Sequence, residues 1–293
     1  MTRLAAIPGR LATLVSGGIF FLAFFCLAAV LTQAGAQENE NYYANLEEDL
    51  AELSAEEREE LLLFVAGNAL HTLYHEGGHM LISLLELPVL AQEEDAVDNL
   101  ATVTMLEIET GDVDLMLRDA MIGWFLMAET TGENLVFYDE HDLDLQRGFR
   151  MLCLMVGADE EAFMDLAREL DLPEDRIESC AFDYAQASES WQLATASFAR
   201  ESNTPAGRIK AVHDPAPEGL KILAQFLKTS ELLEDVAKEF DTRYDIPEDI
   251  TFRAAACGED NAFWDPEARE VILCHEMLGA FADLYLGLLY EEE

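Results

Sequence analysis

The chain has 293 residues, with 17 Lys and Arg against 59 Asp and Glu, which gives a formal net charge of −42 at pH 7. Because 51% of the residues are hydrophobic and 26% are charged, the sequence can bury a core and is not a disordered acidic tail. Nucleic-acid binding requires clustered Lys and Arg, so this charge argues against a nucleic-acid partner. The excess of acidic residues indicates a heavily solvated surface.

Residues 1–36 are predicted to be a secretory signal peptide. Two arginines precede an uncharged apolar run over residues 11–31, and the small residues Ala34-Gly35-Ala36 follow it. A basic start, an apolar middle and a small-residue exit are typical of a cleaved signal. The apolar run is also long enough to span a bilayer, so an uncleaved anchor is the alternative, and membrane contact is expected only in that case. We therefore predict one domain over residues 37–293, secreted or periplasmic.

Downstream of the signal, the pattern of apolar residues predicts a mostly helical domain. Ser54, three residues before Glu57, forms a capping-box pattern, and Pro88 closes the helical pattern that contains the first histidines. The predicted helices lie at about residues 46–63 continuing to 85, 93–106, 113–128, 144–155, 161–170, 174–199, 220–240 and, at the end of the chain, up to about residue 289.

Strands are predicted only towards the C-terminal end. Residues 250–256 and 270–274 have the composition of short strands, and they flank a connection over residues 258–266. Several Pro and Gly residues fall within residues 202–218, which are therefore predicted to be an internal linker. The expected fold class is α+β, predominantly helical, with a small β-hairpin or sheet.

The pattern His-Glu-x-x-His, which begins at His75, is the strongest chemical signal in the sequence. On a helix, His75 and His79 project from one face, so both imidazoles can bind one Zn²⁺. Glu76 lies one position further round, where its carboxylate can act as general base towards water activated by the metal. Gly77 and Gly78 each cost a helix about 1 kcal/mol, which indicates close packing against the helix or a segment shaped for a metal.

A catalytic zinc ion takes a third protein ligand and keeps one position open. Glu94 and Asp98 are four residues apart and share a helical face. This spacing suits a carboxylate ligand followed, one turn later, by a carboxylate that orients a ligating histidine. His71 continues the histidine spacing one turn earlier, but three successive turns curve past a single ion, so we expect this residue in the core or behind the ligands.

The Glu-x-x-x-Asp pattern downstream of His-Glu-x-x-His resembles the gluzincin metallopeptidases, the group that includes thermolysin. This resemblance implies a zincin-like domain with one zinc ion per chain, in which Glu76 is the base and Asp98 orients a ligand. The metal ligands that it implies are His75, His79 and Glu94. Fourteen residues separate the second histidine from Glu94, which is shorter than in thermolysin, so Glu93 or Asp95 is the alternative third ligand.

Two further segments fit a peptidase site. His141 lies among acidic residues and is a candidate donor to the oxyanion of a tetrahedral intermediate, with Tyr138 as the substitute donor. A histidine in this setting is also typical of an acid-paired surface position. Asn261, Ala262 and Phe263 resemble the edge strand on which thermolysin-type enzymes bind a peptide backbone, although an aromatic turn between two strands would have the same sequence.

The cysteines beyond the signal fit two disulfides in an exported protein. There are four of them, and four cysteines allow three connectivities between which the sequence does not choose. We expect nearest-neighbour pairing, Cys153 with Cys180 and Cys257 with Cys274. The absence of Cys-x2-Cys and Cys-x4-Cys spacings argues against a cysteine-ligated zinc site.

Over most of its length beyond residue 36, the chain resembles a bacterial family of exported metallopeptidase-like proteins catalogued as a domain of unknown function. The residues that carry the resemblance are the His75 motif, Leu87-Pro88-Val89-Leu90, Glu93-Glu94-Asp95, Glu140-His141, Arg147, Cys153, Cys180, Trp191, Cys257-Gly258, Asn261-Ala262-Phe263 and Cys274. The resemblance implies a zinc-dependent peptidase that acts on peptide or protein substrates. The alternative is a non-catalytic exported binding protein that keeps the metal as a structural element.

Overall fold

The computed structural model describes residue 43 and residues 46–90, 92–108, 111–132, 135–201 and 206–291. The predicted signal peptide or anchor over residues 1–36, with Cys26, lies outside the described residues. Among the helices that are described, none combines the length and the apolar character needed to cross a bilayer.

The described residues form ten α-helices, so the predicted helical predominance is confirmed. The helices are α1 (Leu46–Glu52), α2 (Ala55–Leu85), α3 (Glu93–Leu106), α4 (Gly111–Thr131), α5 (Asp144–Ala158), α6 (Glu160–Glu169), α7 (Glu174–Thr195), α8 (Lys221–Thr229), α9 (Leu232–Arg243) and α10 (His275–Glu291).

The start of α2 is fixed by the capping box that the sequence predicts. The Ser54 hydroxyl accepts a hydrogen bond from the Glu57 backbone N–H at 3.2 Å, and the Glu57 carboxylate accepts one from the Ser54 N–H at 2.7 Å. These two bonds satisfy backbone donors that a helix start otherwise leaves unpaired. The helix therefore begins afresh at residue 55, and the stretch from residue 46 is divided into α1 and α2.

Four short strands form one mixed sheet: β1 (Ile209–His213), β2 (Ile250–Ala255), β3 (Ala262–Asp265) and β4 (Glu270–Cys274). Their spatial order is β1-β2-β4-β3; β1 and β4 run parallel to β2, and β3 runs antiparallel to β4. β3 is therefore a terminal strand of this sheet.

Two predictions about loops were wrong. Residues 209–213, placed in an internal linker, form β1 and pair with β2 from Ile209 opposite Ile250. Residues 262–265, placed in a connection, form β3. Both strands are short and are flanked by Pro and Gly residues, so their local composition is typical of loops. They form strands because they pair with strands that are distant in the sequence, which local composition does not reveal.

The centre of the fold is α2, which packs against α3, α4, α9, α10 and the strands β3 and β4. Because α2 is covered on several sides, its buried residues are not confined to one stripe, and Phe64, Leu73, Met80 and Leu81 are almost completely inaccessible. The histidine motif therefore lies on a helix, α2, that other elements contact on most of its sides.

Two disulfides tie later elements together. Cys153 on α5 is bonded to Cys180 on α7, and Cys257, just after β2, is bonded to Cys274 at the end of β4. This is the expected nearest-neighbour pairing. The second bond encloses the segment that contains β3, so it limits how far this strand can move away from β4. Disulfides of this kind fit an oxidising compartment.

Replacement of Gly67 by alanine should test the close packing of α2. A Cβ atom at Gly67 would lie 2.2 Å from the carbonyl oxygen of Met116 on α4, whereas a Cβ at Gly287 on α10 would meet no atom within 4 Å. We expect Gly67→Ala to lower the free energy of unfolding by about 1–3 kcal/mol, because a backbone group must shift. Gly287→Ala should raise it by up to about 1 kcal/mol through helix propensity. Denaturant unfolding that gave equal stabilities for both variants would contradict this account of the packing.

Candidate metal centre

The two histidines of the motif converge on one side of α2. Their Nε2 atoms lie 3.3 Å apart, and His75 is buried while His79 is half-buried. The close packing expected at the two glycines is confirmed. A Cβ at Gly77 would lie 2.2 Å from the ring of Phe240, and one at Gly78 would lie 2.7 Å from Val97 Cγ1. Glycine at these positions therefore lets α9 and α3 approach α2 closely.

This approach brings a carboxylate of α3 to the histidines. Glu94 Oε2 lies 3.2 Å from His75 Nε2 and 3.3 Å from His79 Nε2. The three atoms thus form a nearly equilateral triangle. A tetrahedral ion with bonds of about 2.0–2.1 Å holds its ligand atoms about 3.3–3.4 Å apart, so the triangle has the size of one face of such a site.

The surroundings of Glu94 also fit a cation. Its Oε2 atom is buried and makes no hydrogen bond of regular geometry, although imidazole nitrogens surround it. A buried carboxylate oxygen without a hydrogen bond is costly unless another positive group compensates it. His75, Glu94 and His141 also offer ligand atoms that lie within 4.8 Å of one another, which makes a His/Glu/His metal site possible.

The other two acids that the sequence left open as third ligands lie elsewhere. Glu93 Oε1 is 2.8 Å from His79 Nδ1, on the far side of the ring from the Nε2 cluster. Asp95 pairs with Arg150, with 2.5 Å between Oδ1 and Nη1. Among these three neighbouring acids, Glu94 is therefore the residue that the structure brings to both imidazoles, because each step along α3 turns the side chain by about 100°.

Asp98 supports His75 from behind. Its Oδ1 atom lies 2.8 Å from His75 Nδ1, and its two oxygens accept hydrogen bonds from Arg147 at 2.7 Å each. The Arg147 guanidinium in turn lies 3.6 Å from the ring centre of Trp124. These contacts fix the orientation of the His75 ring and leave its Nε2 atom directed at Glu94. No role was predicted for Trp124, because the residues of this group are far apart in the sequence and leave no local pattern that could indicate one.

Ionisation across the cluster differs sharply between neighbours. Burial lowers the pKa of His71 to about 3, so this histidine, which contacts Thr102, is neutral and belongs to the core, as expected. Burial also works against protonation of His75, but the hydrogen bond to Asp98 and the adjacent Glu94 carboxylate outweigh it and raise the pKa of His75 to about 9. For the carboxylates of Asp98 and Glu94, burial acts in the opposite direction and by itself would raise the pKa. The adjacent imidazoles, together with Arg147 in the case of Asp98, outweigh burial and hold both pKa values well below the usual range. Both carboxylates are therefore ionised.

Glu76 faces the same space from α2. It is buried, and its Oε1 atom lies 3.8 Å from His75 Nε2. Burial is the main cause that raises its pKa; the nearby histidines and a backbone hydrogen bond from Trp264 act in the opposite direction. Trp264 lies on β3, so the terminal strand of the sheet contacts the acid of the histidine motif directly.

A cleft of about 550 Å³ opens above these groups. Its walls come from α2, α3, α4, α5, the segment before α5 and the region of β3. They include His75, Glu76, His79, Glu94, Trp124, His141, Arg147, Asn261, Ala262, Phe263 and Trp264. The structure thus gathers the residues that the sequence analysis singled out at distant positions. Tyr138, the substitute donor, is 91% exposed and does not line this cleft.

Asp98→Asn should weaken metal binding if the cluster holds a metal. The substitution removes the charge behind His75 but keeps an oxygen near Nδ1, so the metal dissociation constant should rise by roughly 10–100-fold. Asp95→Asn is the matched control, since Asp95 pairs with Arg150 and contacts neither imidazole. Competition with a chromophoric chelator measures both constants. Equal constants for the two variants would contradict a role for Asp98 in orienting the ligand.

Comparison with known proteins gives one result. A family model described as "Putative metallopeptidase" matches residues 37–194 and 213–293, which is most of the chain. No curated protein and no solved structure matches the chain. The matched residues include the histidine motif, Glu94, His141 and β3. On this evidence the chain belongs to that metallopeptidase family of unknown function.

Proposed function

We propose that this protein is an exported zinc peptidase that hydrolyses peptide bonds with Glu76 as general base. The observation that carries the proposal is the triangle of His75 Nε2, His79 Nε2 and Glu94 Oε2, with sides of 3.2–3.3 Å, beside a buried glutamate. Two imidazoles and one carboxylate are a donor set typical of catalytic zinc. Membership of a metallopeptidase family and two disulfides support the proposal independently.

Zinc in this position would supply Lewis-acid chemistry, which polarises a peptide carbonyl and lowers the pKa of water towards about 7. Glu76 would take the proton from the attacking water and later deliver it to the leaving nitrogen. Its burial supports this role, because a carboxylate with a raised pKa both accepts and returns a proton more readily near neutral pH. Asp98 would hold the His75 ring in place throughout the reaction.

β3 offers a surface on which a peptide backbone could bind. The Cys274 N–H donates to the Asn261 carbonyl at 3.1 Å, so alternation along the antiparallel pair turns the backbone groups of Ala262 and Trp264 away from β4. The Ala262 N–H is held by the Asn261 side-chain oxygen at 2.9 Å, and Trp264 bonds to Glu76. We propose that the outward carbonyls pair with the substrate, which would place an extended peptide along the cleft.

One observation favours a second candidate function. His141 Nε2 lies 3.0 Å from Glu94 Oε2, so a fourth protein donor stands beside the triangle. Zinc sites closed by four protein ligands are typically structural. The competing proposal is therefore an exported binding protein in which the metal stabilises the fold. The buried Glu76 favours the peptidase, because a purely structural site has no need for this acid.

Glu76→Gln should separate the two functions. The variant should fold and bind close to one zinc ion per chain, because Glu76 is proposed to act on water and not on the metal. Peptide hydrolysis should fall by about 10²–10⁴-fold, as expected for loss of a general base. Glu59→Gln, the same change at an exposed position of α2, is the control and should leave zinc content and hydrolysis unchanged.

The measurements are zinc content by elemental analysis and cleavage of a broad library of unstructured peptides. A zinc-loaded wild-type protein that cleaves nothing in this library would leave the metal-binding proposal and remove the peptidase. Loss of zinc from Glu76→Gln would instead show that Glu76 is a ligand, which contradicts the assignment of roles within the motif.

A further inference from the structure

His141 approaches the cluster from a loop, whereas the other donors stand on helices. Residues 135–143, the described part of the connection that leads into α5, place His141 Nε2 at 3.0 Å from Glu94 Oε2. The His141 and His75 rings are almost parallel, with 18° between their planes and centroids 6.4 Å apart. Three imidazoles therefore surround the same carboxylate oxygen.

The described residues of the loop that carries His141 are largely exposed. Phe137 and Tyr138, which would anchor it if they were packed, are 80% and 91% exposed. The His141 side chain is itself 45% exposed and its backbone N–H bonds only within the loop, to Asp139 Oδ1 at 3.2 Å. Asp142 pairs with Arg150 on α5 and fixes the far end of the loop. A change in the position of His141 would therefore disturb no residue of the buried core.

A tetrahedral metal site built on the triangle of His75, His79 and Glu94 would have one further ligand position, which His141 is near enough to occupy. The triangle of His75, His79 and Glu94 accounts for three of the four positions of a tetrahedral site, and His141 lines the cleft onto which the fourth position opens. His141, His75 and Glu94 offer ligand atoms that lie within 4.8 Å of one another. His79 is outside this group, so His141 would have to move towards the triangle to complete a set of four donors.

We propose that His141 is a displaceable fourth ligand of the resting metal site. In the resting state three imidazoles and Glu94 would hold the metal; when a peptide enters the cleft, His141 would leave and an oxygen of water or of the peptide carbonyl would take its position. This exchange breaks one nitrogen bond and forms one oxygen bond, with no change in oxidation state. The opening step rests on the proposed peptidase function, whereas the ligand set of the resting protein does not.

The released imidazole would remain close to the cleft, where it can donate a hydrogen bond to the oxyanion. His141 would thus have two successive roles: it would keep the metal from unspecific reaction in the resting state and stabilise developing charge during hydrolysis. A donor that never binds the metal would have only the second role, and this difference makes the proposal testable through metal binding.

His141→Ala in the full chain tests the resting ligand set. X-ray absorption of the zinc-loaded protein should count three imidazole ligands in the wild type and two in His141→Ala. Chelator competition should show zinc affinity lower by roughly tenfold or more, because loss of a direct ligand should cost at least as much as loss of a group behind a ligand. Tyr138→Phe, an exposed change on the same loop, is the matched control and should change neither result. Circular dichroism and thermal unfolding check that both variants are folded.

Unchanged imidazole count and zinc affinity in His141→Ala would overturn the proposal, even if hydrolysis fell, since His141 would then act only as a donor. A lost imidazole with lowered affinity supports the proposal even when no peptide is cleaved, and in that case the peptidase function alone fails. The two failures are therefore distinguishable.

Discussion

The close approach of α3 to α2 is the constraint on which the candidate site depends. Val97 occupies the space that a side chain at Gly78 would need, and this contact sets the distance at which Glu94 and Asp98 face the histidines. A larger residue at Gly78 would push α3 outwards and separate donors that now lie 3.2–3.3 Å apart. Packing of apolar atoms thus determines the geometry of the polar cluster.

That cluster removes several charges from water at once, which is costly unless the charges compensate one another. On the inner side, Arg147 and the Trp124 ring stabilise the Asp98 carboxylate. On the side of the cleft, the imidazoles face Glu94, whose Oε2 atom remains without a hydrogen bond. The negative charge of Asp98 is therefore compensated by groups of the protein itself, whereas Glu94, on the side of the cleft, is suited to bind an additional cation.

The sequence predicted the helical part of this site well, because helical spacing is local. The capping box, the start of α3 at Glu93 and the shared faces of the donors all follow from residues within two turns. Contacts between residues that are far apart in the chain could not be predicted from the sequence. β1 was predicted to be part of a linker and β3 part of a connection, and no sequence pattern indicated the contact between Arg147 and Trp124. The position of His141 beside Glu94 also depends on how a loop folds back over α3, which periodicity does not encode.

The donors on α2 and α3 belong to one short stretch of chain, since the sequence separation between His75 and Asp98 is only 23. Contacts between residues close in sequence form rapidly, because little chain entropy is lost when the loop closes. The strand that borders the cleft, β3, follows much later in the chain; it must pair with β4, within the loop that the Cys257–Cys274 disulfide closes. The donor atoms on α2 and α3 can therefore come together before β3 has paired with β4, so the cleft wall formed by β3 is expected to become ordered later than the cluster that it borders.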